Sequence, residues 1–183
     1  MGKFIINKYT CKRFIAYIID WYLASIVSMI PFLIIGLAND IDYVNVMNFK
    51  LYTNQDLMIG LFMSIFISFI YFFMIPSKLY LGQTIGKRIM NLKIIACGNH
   101  QLRMRDLFVR QIVFIWFIEM SLHSIGGILN QVRFNIIQVD AIIYYKELSI
   151  FIIIISILML LISSHHVTLH DFVSKTKVID MSA

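Results

Sequence analysis

Apolar residues fill four long stretches of the chain, at about 14–37, 57–76, 107–129 and 147–164. A membrane's hydrocarbon core is roughly 30 Å thick and takes about 20 helical residues. The pattern therefore predicts four membrane-spanning helices. The second stretch, "LMIGLFMSIFISFIYFFMI", holds no charge, and the fourth, "LSIFIIIISILMLLIS", is as clean though shorter. The first carries Asp20; the third carries Arg110 near its start and Glu119 in its middle, which leaves the completeness of that span open.

Between the second and third stretches the pattern changes. Pro76 is expected to end the second span. From Thr84 to Ile95, the residues Ile85, Ile89, Leu92 and then Ile95 or Ala96 recur at helical spacing, while Lys87, Arg88, Asn91 and Lys93 fall mostly elsewhere on the wheel. That predicts a short basic amphipathic helix lying on the membrane surface. A solvated basic loop is the plainer alternative. "CGNH" reads as a turn, and "RMRDLFVR" leads the chain back toward the membrane. The expected architecture is all-α, a four-span bundle forming one domain over residues 1–183.

Composition agrees with that picture. The chain is 60% hydrophobic and 14% charged, against about 45–50% and about 25% in ordinary soluble domains. A chain of 183 residues cannot hide so much apolar surface inside one soluble globule.

Charge then orients the bundle. Thirteen Lys and Arg fall in the N-terminal segment, the central connection and the C-terminal tail; three, Lys50, Arg133 and Lys146, fall in the other two loops. Those two loops also hold Asp40, Asp42, Asp56, Asp140 and Glu147. The bias places both termini and the central loop in the cytoplasm. The net charge of +6 is thus mainly a topology signal, and no nucleic-acid partner is expected. The first apolar run is too long for a cleavable signal, with no small-residue cleavage pattern after it. Cys11 and Cys97 fall on the cytoplasmic side and read as reduced, unpaired thiols.

The piece "GQTIGKR" invites comparison with a phosphate-binding loop and fails it. Three residues, not four, separate Gly82 from Gly86, and Arg88 stands where Ser or Thr would meet magnesium. No cofactor is expected.

Several segments together resemble the RDD family of small bacterial membrane proteins. "RFIAYIID" supplies Arg13, Ala16 and Asp20. "LGQTIGKRIMNLKII" resembles the family's central motif and supplies Gly82, Gln83, Thr84, Gly86 and Lys87. Arg110 matches an arginine at the start of the next span. "LHDFVSKTKVI" resembles the closing segment and supplies Asp171, Thr176 and Val178. The resemblance runs from about residue 9 to 180. One departure is an extended connection, "HSIGGILNQVRFNIIQVDAIIYYKE", between the third and fourth spans. The resemblance implies a multi-pass protein of the bacterial cytoplasmic membrane, and it carries a proposed transport role, with cation/proton exchange suggested.

The polar residues inside the apolar stretches are the candidate sites. Arg13 and Asp20 share one helical face about 10.5 Å apart along the axis, too far for a direct pair once Arg13 leans toward the interface. Thr10, Arg13, Tyr17, Asp20, Ala24 and Ser28 form a stripe expected to face other helices. Asp20 reads either as a cation or proton site or as an anchor that holds helices by hydrogen bonds. Gly60, Ser64, Ser68 and Tyr71 read as a packing stripe. Glu119 and His123, four residues apart, read as a proton-responsive pair or an ordinary buried hydrogen bond. His166 and His170 have the spacing of two metal ligands but lack an evident third, so no metal is assigned. Asp171 is expected to fold back against the basic surface, with Arg13, Lys87, Arg88 and Arg110 as candidate partners.

No nucleophile and base are arranged for catalysis, so no enzymatic activity is expected. Two functions remain. One is a small carrier, or carrier subunit, for a cation, proton or other small solute. The other is a non-transporting accessory protein, an immunity, assembly or stabilising factor for a membrane partner. The expected partners are the lipid bilayer and either a second copy of the chain or another membrane protein.

Overall fold

The computed structural model describes residues 8–98, 101–111, 141–162 and 167–182. Helix α1 runs Lys8–Ala38. Two short 3-10 turns, Tyr43–Asn45 and Phe49–Leu51, lead into α2, Asn54–Phe69. That helix continues in the wider π geometry over Ile70–Leu79. Helix α3 (Ile85–Ile89), strand β1 (Leu92–Ala96) and helix α4 (Met104–Phe108) follow. Then come α5 (Ala141–Ile162), α6 (Leu169–Val173) and strand β2 (Thr176–Asp180). The architecture is mostly helical.

Two of these helices are long and apolar enough to cross a membrane, Lys8–Ala38 and Asn54–Leu79. They cover the first two predicted stretches and overrun them. Helix α5 overlaps the fourth stretch. The third stretch beyond Gln111 lies outside the described residues, and Glu119 and His123 with it. Pro76 does not end the second helix as expected. The chain stays helical through Leu79, with π-type bonds such as that from the Tyr80 N–H to the Ile75 carbonyl (2.9 Å). A proline removes one N–H and crowds the preceding turn; a wider turn accommodates both.

Small residues set how α1 and α2 meet. Ser64 donates to the Ser28 carbonyl (2.6 Å), and the Ser28 and Ser68 hydroxyls lie 3.0 Å apart. A Cβ on Gly60 would stand 2.6 Å from the Phe32 ring, so glycine is what lets that ring seat. This is close packing through small and hydroxyl side chains. At the loop end, Phe32, Val46, Phe49, Tyr52 and Leu57 form one buried cluster. Thr53 caps α2 by accepting from the Asp56 N–H (3.2 Å). Of the polar stripe expected on α1, Thr10, Asp20, Ala24 and Ser28 are buried, but Tyr17 is exposed and Ala16 takes the inner position.

The opposite end of the helices carries the main departure from the expected all-α fold. β1 and β2 pair antiparallel with Ile94 opposite Val178. Leu92, Ile94 and Val178 join Ala16 of α1 and Leu107 of α4 in a second buried cluster. The predicted amphipathic helix over Thr84–Ile95 is therefore only partly formed. Helix ends at Ile89; Asn91 takes a left-handed conformation (φ 56°), which Asn tolerates better than most residues; and the chain becomes strand. From Leu92 onward the buried positions alternate, Leu92, Ile94 and Ala96 inward with Lys93 and Ile95 between. That period of two is the strand's signature, and burial against α1 selects it over the helical spacing the same residues also satisfy.

The two strands belong to two copies of one local unit. Thr84 precedes α3 and Thr168 precedes α6; Asn91 and Lys175 (φ 52°) make the left-handed turns; Ile94 and Val178 are the paired strand centres. One 84-residue offset relates all three correspondences. Pairing is reciprocal under it, Leu92 with Asp180 and Ala96 with Thr176. The second unit follows α5, and the Leu169 N–H donates to Ser156 of that helix (3.3 Å).

Candidate functional site

Two of the buried carboxylates, Asp20 and Asp171, tie the sheet end to the helices; a third, Asp106, caps its own short helix α4. The first is Asp20, on the inner face of α1 and 3% exposed. The Tyr71 hydroxyl, aimed from the π turn, donates to its Oδ1 at 2.8 Å. The Gly86 N–H donates to the same oxygen at 2.8 Å. The Thr84 hydroxyl donates to Oδ2 at 2.5 Å, and the Lys87 ammonium stands 3.6 Å from that oxygen. Asp20 is thus clasped by the first turn of α3 and by the far end of α2.

The central motif is read through this contact. Gly82 has φ 82°, and any Cβ there would also run into the Ile94 carbonyl. The Gln83 amide donates to the Leu92 carbonyl (2.8 Å) and fixes the start of β1. Gly86 packs so near α1 that a Cβ would collide with the Ala16 carbonyl and the Asp20 carboxyl. Only a bare Cα lets the Gly86 N–H reach Asp20. Burial lowers the pKa of the Lys87 ammonium from the ordinary lysine value, and Asp20 partly opposes that.

The second carboxylate is Asp171, in α6, with no exposed surface. Arg110 donates to Oδ1 and Arg13 to Oδ2, the latter at 2.7 Å. The Thr168 N–H (3.0 Å) and hydroxyl (2.8 Å) also donate to Oδ2, closing a capping box at the start of α6. Arg110, itself 2% exposed, donates onward to the Thr176 hydroxyl of β2 (2.7 Å), which shares a hydrogen bond with Ser174 (2.7 Å). Burial pushes the Asp171 carboxyl up; Arg110, His170, Arg13 and the Thr168 N–H more than reverse this and hold it below the usual carboxylate range.

The structure thus sorts the four cations expected near Asp171. Arg13 and Arg110 pair with it, Lys87 turns to Asp20, and the Arg88 guanidinium lies 3.9 Å above the Tyr80 ring. Arg13 and Asp20 do not pair with each other. A lesser tie joins the chain's ends: Lys12 meets Asp180 at 2.6 Å, and the Tyr9 hydroxyl donates to the Val178 carbonyl at 2.6 Å. Asp180 is held below its ordinary value chiefly by the Lys12 and Ser182 hydrogen bonds.

Sequence reasoning missed two partners. Tyr71 entered as a packing residue and proves to be a donor to Asp20. Thr168 was not singled out, although its spacing to Asp171 is that of a capping box. His165 and His166 lie outside the described residues, so the pairing of His166 with His170 does too. Among the described residues no three His, Cys, Asp or Glu side chains converge as metal ligands would. Cys11 and Cys97 are exposed and not bonded to each other.

Chemically, the arrangement holds charge in place. Each carboxylate ties α1 to elements far along the chain, Asp20 to Thr84–Lys87 and Arg13, through Asp171, to α6. The model of the RDD family matches the chain over residues 10–175, a span that takes in both carboxylates and all their partners. No curated protein and no solved structure matches the chain.

Proposed function

The chain belongs to the RDD family, and from that membership we propose that it is a non-catalytic accessory protein of the bacterial cytoplasmic membrane. In this reading it crosses the bilayer four times with both termini and the sheet end in the cytoplasm, and it binds or stabilises a membrane partner, either a second copy or another protein. The apolar helices and the lopsided distribution of Lys and Arg support the placement. The single observation that carries the accessory role is the occupancy of the two carboxylates. All four oxygens of Asp20 and Asp171 accept from the chain's own donors. A carboxylate that couples to a moving cation needs an oxygen that the cation can reach.

The carrier reading has one observation in its favour. Lys87 is the loosest partner of Asp20, at 3.6 Å, and is the contact an incoming cation would displace. Reconstitution of the purified chain in vesicles with an internal pH dye separates the two. The accessory role predicts no cation-driven pH change beyond that of empty vesicles. Flux that Asp20→Asn abolishes in a folded protein would establish the carrier.

A further inference from the structure

We infer that Arg88, stacked on Tyr80 at the end of the second long helix, is a binding site for the phosphate of an anionic phospholipid. The inference rests on the membrane placement proposed above and not on the absence of transport. The stacking is close, with the guanidinium carbon 3.9 Å from the ring centroid. A guanidinium held over an aromatic face by cation–π attraction spends none of its N–H donors on that contact, and its planar fork matches two phosphate oxygens. Among the described residues no carboxylate pairs with Arg88, whereas Arg13, Arg110, Lys12 and Lys87 each face one. Arg88 is exposed, as is Lys78 two residues before Tyr80.

The apolar surroundings decide between a dissolved ion and a lipid. Leu79, Leu81 and Ile89 are 68%, 66% and 59% exposed. They flank Tyr80 and Arg88 in sequence, and Leu79 is the last residue of a helix apolar enough to cross a membrane. The second long helix ends at Leu79, and the contact of Arg88 with Tyr80 places a cation beside that end, with exposed aliphatic side chains next to both residues in sequence. A phosphate held there has its acyl chains directed along those side chains. Anionic headgroups supply the negative charge at the cytoplasmic leaflet, and Tyr80 stands at the depth where interfacial aromatic residues gather.

The test is native mass spectrometry of the purified full chain in mild detergent, titrated with phosphatidylglycerol, with phosphatidylcholine and with inorganic phosphate. Wild type should retain phosphatidylglycerol in preference to phosphatidylcholine. Arg88→Gln should lower phosphatidylglycerol occupancy about tenfold, the scale of one lost charge-assisted contact. Arg88→Lys should recover only part of it, because the planar fork is gone, and Tyr80→Phe should leave it unchanged because the ring remains. Lys177→Gln, at an exposed position on β2, is the control and should bind as wild type does. Equal phosphatidylglycerol binding by wild type and Arg88→Gln would overturn the site. Displacement of the lipid from wild type by millimolar inorganic phosphate would overturn the lipid as its occupant. A pH-dye flux measurement on the same preparation reports on the accessory role separately, so failure of either idea is visible alone.

Discussion

The two cap–helix–turn–strand units share a plan and differ at one decisive position. Lys87 and Asp171 occupy the same place, three residues after Thr84 and Thr168. In the second unit the acid belongs to the small helix, and the arginines come to it from the starts of two other apolar stretches. In the first unit the acid comes from α1, and the small helix offers its own N–H, hydroxyl and ammonium. The Asp171 contact is dominated by charge, two guanidiniums on one carboxylate. The Asp20 contact is dominated by neutral hydrogen bonds, two hydroxyls and a backbone N–H, with its one cation farther off. One architecture thus closes both halves of the sheet end, by opposite electrostatic means.

That contrast predicts an asymmetry under the same substitution. Asp171→Asn removes the charge shared by the buried Arg110 and the half-buried Arg13 and should cost about 3–5 kcal/mol, the scale for breaking a buried pair. A melting curve in detergent checks it; a wild-type melting temperature would show that the two arginines are satisfied elsewhere. The sign with pH follows from the depressed carboxyl. Its stabilising contribution is complete above the ordinary carboxylate value of 3.8 and declines as the pH falls below it. Wild type should therefore lose stability at acid pH more steeply than Asp171→Asn.

Gly86→Ala should come next. The new methyl would push α3 from α1 and lengthen the contacts that Thr84, Gly86 and Lys87 make to Asp20, at about 1–3 kcal/mol for overpacking. Chemical shifts or labelling rates at Thr84 and Lys87 should change while those at Thr168 do not. Movement at both would mean that the two halves respond as one.

Asp20→Asn should be milder than Asp171→Asn. An amide oxygen can still accept from Tyr71 and Gly86, and the loss falls on Thr84 and Lys87, at about 1–2 kcal/mol. Asp20→Leu strands all four donors and should reduce the yield of folded protein sharply. If Asn and Leu at position 20 prove equally harmful, the site depends on the ionised carboxylate rather than on hydrogen bonding. The smallest effect belongs to Asp180→Asn. That carboxylate meets Lys12 near the surface, where salt screens the attraction; any shift in melting should shrink further as salt is added.

Much of this end of the molecule was legible in the sequence, and the rest was hidden for physical reasons. Asp20 and Arg110 stand out because charges in apolar segments are costly and need partners; Arg13 and Asp171 stand out through the family resemblance of their segments, just outside the apolar stretches. Which acid takes which base was not legible, since Arg13 meets Asp171 across 158 residues of chain. The strand over Leu92–Ala96 was misread as helix because Ile85, Ile89 and Leu92 fit a period of 3.6 while Leu92, Ile94 and Ala96 fit a period of two. In five residues the two periods cannot be told apart without the partner strand. The π turn that aims Tyr71 at Asp20 left only Pro76 as a trace, and a proline there reads more simply as an end.

The central claim is that Asp20 and Asp171 hold the sheet end onto the helices and do not serve a moving ion. Cation-driven pH change, measured in vesicles containing the purified wild-type chain, tests it most directly. The account predicts a trace that matches empty vesicles for sodium, potassium and lithium gradients alike. A cation-dependent proton flux that disappears in an Asp20→Asn protein of near-normal melting temperature would contradict it.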